Sequence, residues 1–226
     1  MPTSTDVTPR PLAEPGCPAT LARLGIASLL VFALHAVLVL AGGWQWLDLA
    51  LLQVAHRLQG PGADAFFLLV SALGHEWGVI PLDVLVVIGL ACCRRWRASG
   101  FVLLVTAGSG LLNALSKGLF MRERPQLWPR LAEVQGWSFP SGHAMGSATL
   151  MLLLVLWAWP GRLRYPVLFA ALLFSAVVGG SRVYLGVHWP SDVVAGWLLA
   201  TAWVMGVAVW MPRQGQGELC HRTDIS

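Results

Sequence analysis

LGIASLLVFALHAVLVLA, residues 24–41, runs for 18 positions without an aspartate, glutamate, lysine or arginine. A helix of that length crosses the hydrocarbon core of a bilayer and satisfies its own backbone there. The run lacks a small-residue cleavage site, so it reads as a first transmembrane helix and not as a secretory signal. Further apolar runs follow at 77–93, 101–120, 144–159, 166–183 and 191–210. Residues 44–75 are less apolar, with Gln53, His56 and Arg57 interspersed and a turn at Gln59-Gly60-Pro61-Gly62. They are expected to form short amphipathic or interfacial helices. The expected fold is therefore all-α, a bundle of six transmembrane helices with short interfacial helices between the first two spans.

Composition agrees with this. Of 226 residues, 56% are hydrophobic and 12% charged, against about 25% charged in an ordinary soluble domain. Trp44, Trp46, Trp77, Trp96, Trp157, Trp159 and Trp210 lie near run ends, where an aromatic belt meets the headgroups. Residues 1–20 carry five prolines and read as a disordered cytoplasmic tail. Residues 21–212 form one membrane domain, and 213–226 a polar cytoplasmic tail. The net charge of +4 is gathered in short clusters between apolar runs. That pattern sets topology and gives no reason to expect a nucleic-acid partner.

Arg10, Arg23, Arg94, Arg95, Arg97, Arg162, Arg164, Arg213 and Arg222 fall on one face, and Arg57, Lys117, Arg122, Arg124, Arg130 and Arg182 on the other. The larger set marks the cytoplasm, so six spans leave both termini inside. Cys17, Cys92, Cys93 and Cys220 then lie near the reducing side. They show no zinc-type spacing. The basic residues on the outer face defy the topology rule and need another reason.

Three outer segments supply one: Lys117 to Arg124-Pro125, Pro140-Ser141-Gly142-His143, and Ser181-Arg182 followed by His188 and Asp192. Lys117, the only lysine, joins Arg124 and Arg182 as cations suited to phosphate oxygens. Ser141 suits an N-cap, and Gly142 lets backbone approach an anion at the start of the fourth span. Pro190 suits a first helical turn. The last helix then begins near it, with His188 just outside and Asp192 reaching back to fix the imidazole tautomer. His143 provides a second histidine for proton transfer. These are the parts of phosphoryl transfer through a phosphohistidine, with cations and amides stabilising the equatorial oxygens and no metal required.

The three segments resemble the signature of the type 2 phosphatidic acid phosphatase (PAP2) family, K-x6-RP, PSGH and SR-x5-H-x3-D, over residues 64–211. The resemblance implies a metal-independent membrane enzyme whose site faces the periplasm or cell exterior. In it His188 is the nucleophile, Asp192 its orienter and His143 the acid, while Lys117, Arg124, Ser141, Gly142 and Arg182 bind phosphate. The small chain is similar to bacterial members of the inner membrane. Undecaprenyl diphosphate, phosphatidylglycerol phosphate and phosphatidic acid are the implied substrates, the first favoured. No cofactor and no protein partner are implied beyond the bilayer and its lipid phosphate. A phosphotransferase would use the same residues, and a lipid carrier would not need an oriented nucleophile. A vanadium haloperoxidase would share the anion site in a soluble protein.

Other polar residues read more plainly. Arg122 and Arg130 suit lipid headgroups, and Glu123 suits a pair with a neighbouring arginine. His75 and Glu76 are solvated at a surface, Asp83 bonds nearby backbone, and His35 makes a hydrogen bond within the bundle. The small-residue patches at Gly108-Ser109-Gly110 and Gly179-Gly180-Ser181 permit close helix packing.

Overall fold

A computed structural model describes residues 18–210; the cytoplasmic-tail expectations for 1–17 and 211–226 lie outside the described residues. The helices are α1 (Pro18–Leu40), α2 (Gln45–Arg57), α3 (Pro61–Leu73), α4 (Val79–Cys92), α5 (Trp96–Phe120), α6 (Gly142–Ala158), α7 (Arg164–Tyr184) and α8 (Pro190–Trp210), and no strand occurs among the described residues. Every expected span coincides with a helix. α1, α5, α7 and α8 are long and apolar enough to cross a membrane, whereas α4 and α6 are shorter apolar helices. α1 begins earlier than expected, at Pro18, because proline is tolerated in a first turn where its missing N–H is not needed.

α1 packs on α8, α6 lies between α7 and α8, and α4 pairs with α5. Phe32, Ala36 and Val39 of α1 meet Met145 and Ala148 of α6 and Ala195, Leu199 and Ala200 of α8. Phe139 closes the upper end of this core, stacked on Phe32 and edge-on to Phe120. Two glycines allow the tight crossings. A Cβ at Gly179 would meet the Trp197 ring and Val193 at 2.6 Å, and one at Gly196 would meet the Ser141 carbonyl at 2.7 Å. By contrast, Gly180 faces open space, so only part of that small-residue patch serves packing.

The two short helices reach further inward than interfacial helices need. Asp48 of α2 and Ser71 of α3 are both buried. Tyr184 at the end of α7 donates to Asp64 of α3 at 2.6 Å, and Gln59 donates to the Tyr184 carbonyl. The α2–α3 turn is thereby tied to the point where the chain leaves α7 for His188.

Candidate active site

α7 ends at Tyr184 and α8 begins at Pro190, leaving His188 in the tight connection between them. Gly186 takes the positive φ this turn requires, and the Val187 and His188 amides both bond the Arg182 carbonyl. Asp192 stands in the first turn of α8, where the helix dipole favours a carboxylate. Its Oδ2 is 3.4 Å from Nδ1 of His188. Oδ2 also accepts from the Trp189 amide at 2.9 Å and from the Ser138 hydroxyl. Oδ1 accepts from Arg122 at 2.6 Å. Asp192 is fully buried. A lone buried carboxylate costs several kcal/mol, so this shell of donors is what lets it stay ionised there.

Arg124 comes from the segment after α5. Its Nε donates to the Gly136 carbonyl, one terminal nitrogen to the Gln135 and Trp137 carbonyls, and the other to the Val187 carbonyl and to Nε2 of His188 at 3.1 Å. An arginine has five N–H groups, and all five are engaged. With Nε2 accepting from Arg124, the His188 proton lies on Nδ1, facing Asp192. Burial pushes the His188 pKa down to about 4 against the pull of Asp192, with Arg124 and Arg182 adding to the fall. The imidazole is therefore neutral near pH 7.

Arg182 is buried at the end of α7 and donates to the Ser71 hydroxyl of α3; its Nε makes no hydrogen bond. Lys117 is half-buried in the last turn of α5. Burial holds the His75 pKa below its ordinary value; Glu76 opposes this, while Arg182 and Lys117 reinforce it. The two cations thus approach His75 from different helices.

Ser141 takes the N-cap position of α6 with extended backbone, but its hydroxyl does not cap. That hydroxyl is buried and makes no hydrogen bond. The Ser141 amide instead bonds the Asp192 carbonyl at 3.0 Å, which joins the starts of α6 and α8. Gly142 opens the helix, and a Cβ there would stand 3.1 Å from the Asn113 amide oxygen. His143 is buried, with Nε2 3.5 Å from a carboxylate oxygen of Glu76 and its ring centroid 4.5 Å from that of His75. Beside them a cavity of about 260 Å³ descends between α4, α5 and α6, lined by His75, Asp83, Ser109, Asn113, Gly142 and Thr149.

Several plain readings need correction. Arg122 does not face headgroups: it binds Asp48 at 2.8 Å and Asp192 at 2.6 Å and lies over the Trp189 ring. Glu123 makes no ion pair among the described residues; its carbonyl accepts from Trp189. Asp83 leaves one carboxylate oxygen buried without a partner, because its helical position directs it away from nearby free amides. Glu76 adjoins His143. His35 does bond within the bundle, to the Ser191 carbonyl at 2.9 Å. Arg130 donates to the Pro125 carbonyl and borders an open depression of about 770 Å³ with Trp128, Glu133 and Gln135. Asp48, Ser71 and Ser138 were not foreseen. The available signals were an acidic residue in an apolar stretch for Asp48 and a second arginine two positions before Arg124 for Arg122.

Residues 98–216 match the family described as the PAP2 superfamily. The chain is 29% identical to an undecaprenyl-diphosphatase of Sulfolobus acidocaldarius, over 84% of this chain and 91% of that protein. It is 28% identical to phosphatidylglycerophosphatase B of Bacillus subtilis, over 77% and 88%. Among solved structures it is similar to a transmembrane PAP2-type phosphatidylglycerolphosphate phosphatase of Bacillus subtilis, with a TM-score of 0.73 and 26% identity over 90% of this chain and 98% of that one.

Proposed function

The chain belongs to the PAP2 superfamily, and from that premise we propose that it hydrolyses a lipid phosphate or diphosphate through a phosphohistidine on His188. The observation that carries this reading is the His188 pair. Nδ1 faces a buried carboxylate, and Nε2 presents its lone pair to the cluster of Arg124, Arg182 and Lys117.

In this reaction Nε2 of His188 attacks phosphorus, and the bond to the lipid oxygen breaks. His143 gives that oxygen a proton. Water then attacks the phosphohistidine with its proton passing to His143, so phosphate leaves and His188 is regenerated. Arg182, Lys117, the Ser141 hydroxyl and the amides opening α6 bind the equatorial oxygens. One N–H of Arg124 turns from Nε2 to a phosphate oxygen as substrate arrives. The charge on these groups does the work a divalent ion does elsewhere, so chelator leaves turnover intact.

The lipid head sits among these cations, at the outer face of six spans, with both termini cytoplasmic. The cavity between α4, α5 and α6 gives the upper tail room within the membrane. Undecaprenyl diphosphate is the preferred candidate because the relative in Sulfolobus acidocaldarius is named for it. Phosphatidylglycerol phosphate and phosphatidic acid are the alternatives to be compared with it.

Purified protein in detergent is expected to release phosphate from at least one of these lipids, in the presence or absence of chelator. Labelled substrate, quenched within a turnover, should leave protein-bound phosphate that survives alkali and is lost in acid. His188→Ala should abolish both signals. Full activity in that variant, or none in the wild type toward all three lipids, would overturn the proposal.

A further inference from the structure

Resting on that reading, we infer that Arg122 and Asp48 are positioning residues, the far end of a chain of alternating charge, His188–Asp192–Arg122–Asp48, that orients the carboxylate behind the nucleophile. Arg122 takes Oδ1 of Asp192 at 2.6 Å, leaving Oδ2 for His188, the Trp189 amide and the Ser138 hydroxyl. With its two oxygens held from opposite sides, the carboxylate has no freedom to rotate.

Arg122 is itself aimed by what surrounds it. Its other terminal nitrogen binds Oδ2 of Asp48 at 2.8 Å, and the nitrogen that holds Asp192 also donates to the Ser191 hydroxyl at 2.7 Å. Its face covers the Trp189 ring. Only a planar fork reaches three oxygens in this way; an ammonium group is a single point. Asp48 is buried, and its remaining bonds run to the Ser191 amide at 2.9 Å and hydroxyl at 2.6 Å. Every partner of Asp48 is therefore Arg122 or the first turn of α8, the turn that carries Asp192.

The chain also divides the outer cations by task. Arg122 is neutralised by two carboxylates and is not available to phosphate. Lys117 and Arg182 have no such partner within ion-pair distance among the described residues. Without Asp48, Arg122 would be an incompletely matched cation beside the site, free to swing toward the substrate and release Oδ1.

The test compares Asp48→Asn, Arg122→Gln, Arg122→Lys, Asp192→Asn, the Asp48→Asn/Asp192→Asn double variant and His188→Ala. Turnover is measured on phosphatidic acid or undecaprenyl diphosphate in mixed micelles, with thermal unfolding measured in the same detergent. Asp48→Asn and Arg122→Gln should each lower kcat by about tenfold or more with KM within about twofold, since they touch the orienter and not the phosphate. Arg122→Lys should recover part of the Arg122→Gln loss. The double variant should equal Asp192→Asn alone, as residues acting through one group are not additive. A folded Asp48→Asn protein with wild-type kcat, or an additive double variant, would overturn the inference. If Asp48→Asn does not fold, equal kcat values for Arg122→Lys and Arg122→Gln would overturn it. An active His188→Ala would instead remove the underlying reading.

Discussion

Arg124 commits all five of its N–H groups to the protein, and four of the acceptors are main-chain carbonyls. This is why its place was only half legible. A pattern of side chains records that an arginine is present, but not that backbone 12 residues away folds onto it. His188 and Asp192 were legible because a four-residue offset across a helix start is a local geometry. The same shell makes a prediction at this scale. The reactive form of His188 is neutral, and protonation removes it. Burial and the nearby cations push its pKa down to about 4, whereas an ordinary histidine titrates near about 6.5. On the acid side, kcat/KM should therefore hold through pH 6 and fall as pH drops through about 4. An acid limb near pH 6.5 in a pH–rate profile would contradict the shift.

Helix starts carry the site: α6 begins at Gly142 and α8 at Pro190, and the Ser141 amide bonds the Asp192 carbonyl across them. Both starts could be read from Ser141 and Pro190. The contributions of α2 and α3 could not, since Asp48 and Ser71 act through long-range contacts to Arg122 and Arg182. Gly196 makes the crossing of α6 and α8 possible. An added Cβ would stand 2.7 Å from the Ser141 carbonyl and 3.1 Å from Ala144 and the Met145 amide. Overpacking of this kind costs about 1–3 kcal/mol. Gly196→Ala should thus lower both the unfolding temperature and kcat by displacing the phosphate-binding turn. Gly206→Ala, where nothing lies within 4 Å, should leave both near wild type. Unfolding and turnover measured on the pair in one detergent check this.

Across the whole molecule, polarity is vectorial. His75 stands just before α4, while Cys92 and Cys93 close that helix and are exposed. Fourteen residues at about 1.5 Å each separate the two ends by about 21 Å. With Cys17 and Cys220 replaced by serine, a membrane-impermeant maleimide should label Cys92 and Cys93 only after cells are permeabilised. Labelling of intact cells would invert the topology. The apolar runs and the basic-residue asymmetry made this architecture legible, because the bilayer acts on every residue of a span at once. What they could not convey is how the segment between α5 and α6 is held. Arg124 fastens it by the Gln135, Gly136 and Trp137 carbonyls, and the Leu131 amide adds a bond to the Leu185 carbonyl. Fastening through main chain is indifferent to side-chain identity. The residues around the adjoining depression, Gln126 to Val134, form an exchangeable cassette. Headgroup preference can drift or be grafted there while the reaction centre behind it stays constant.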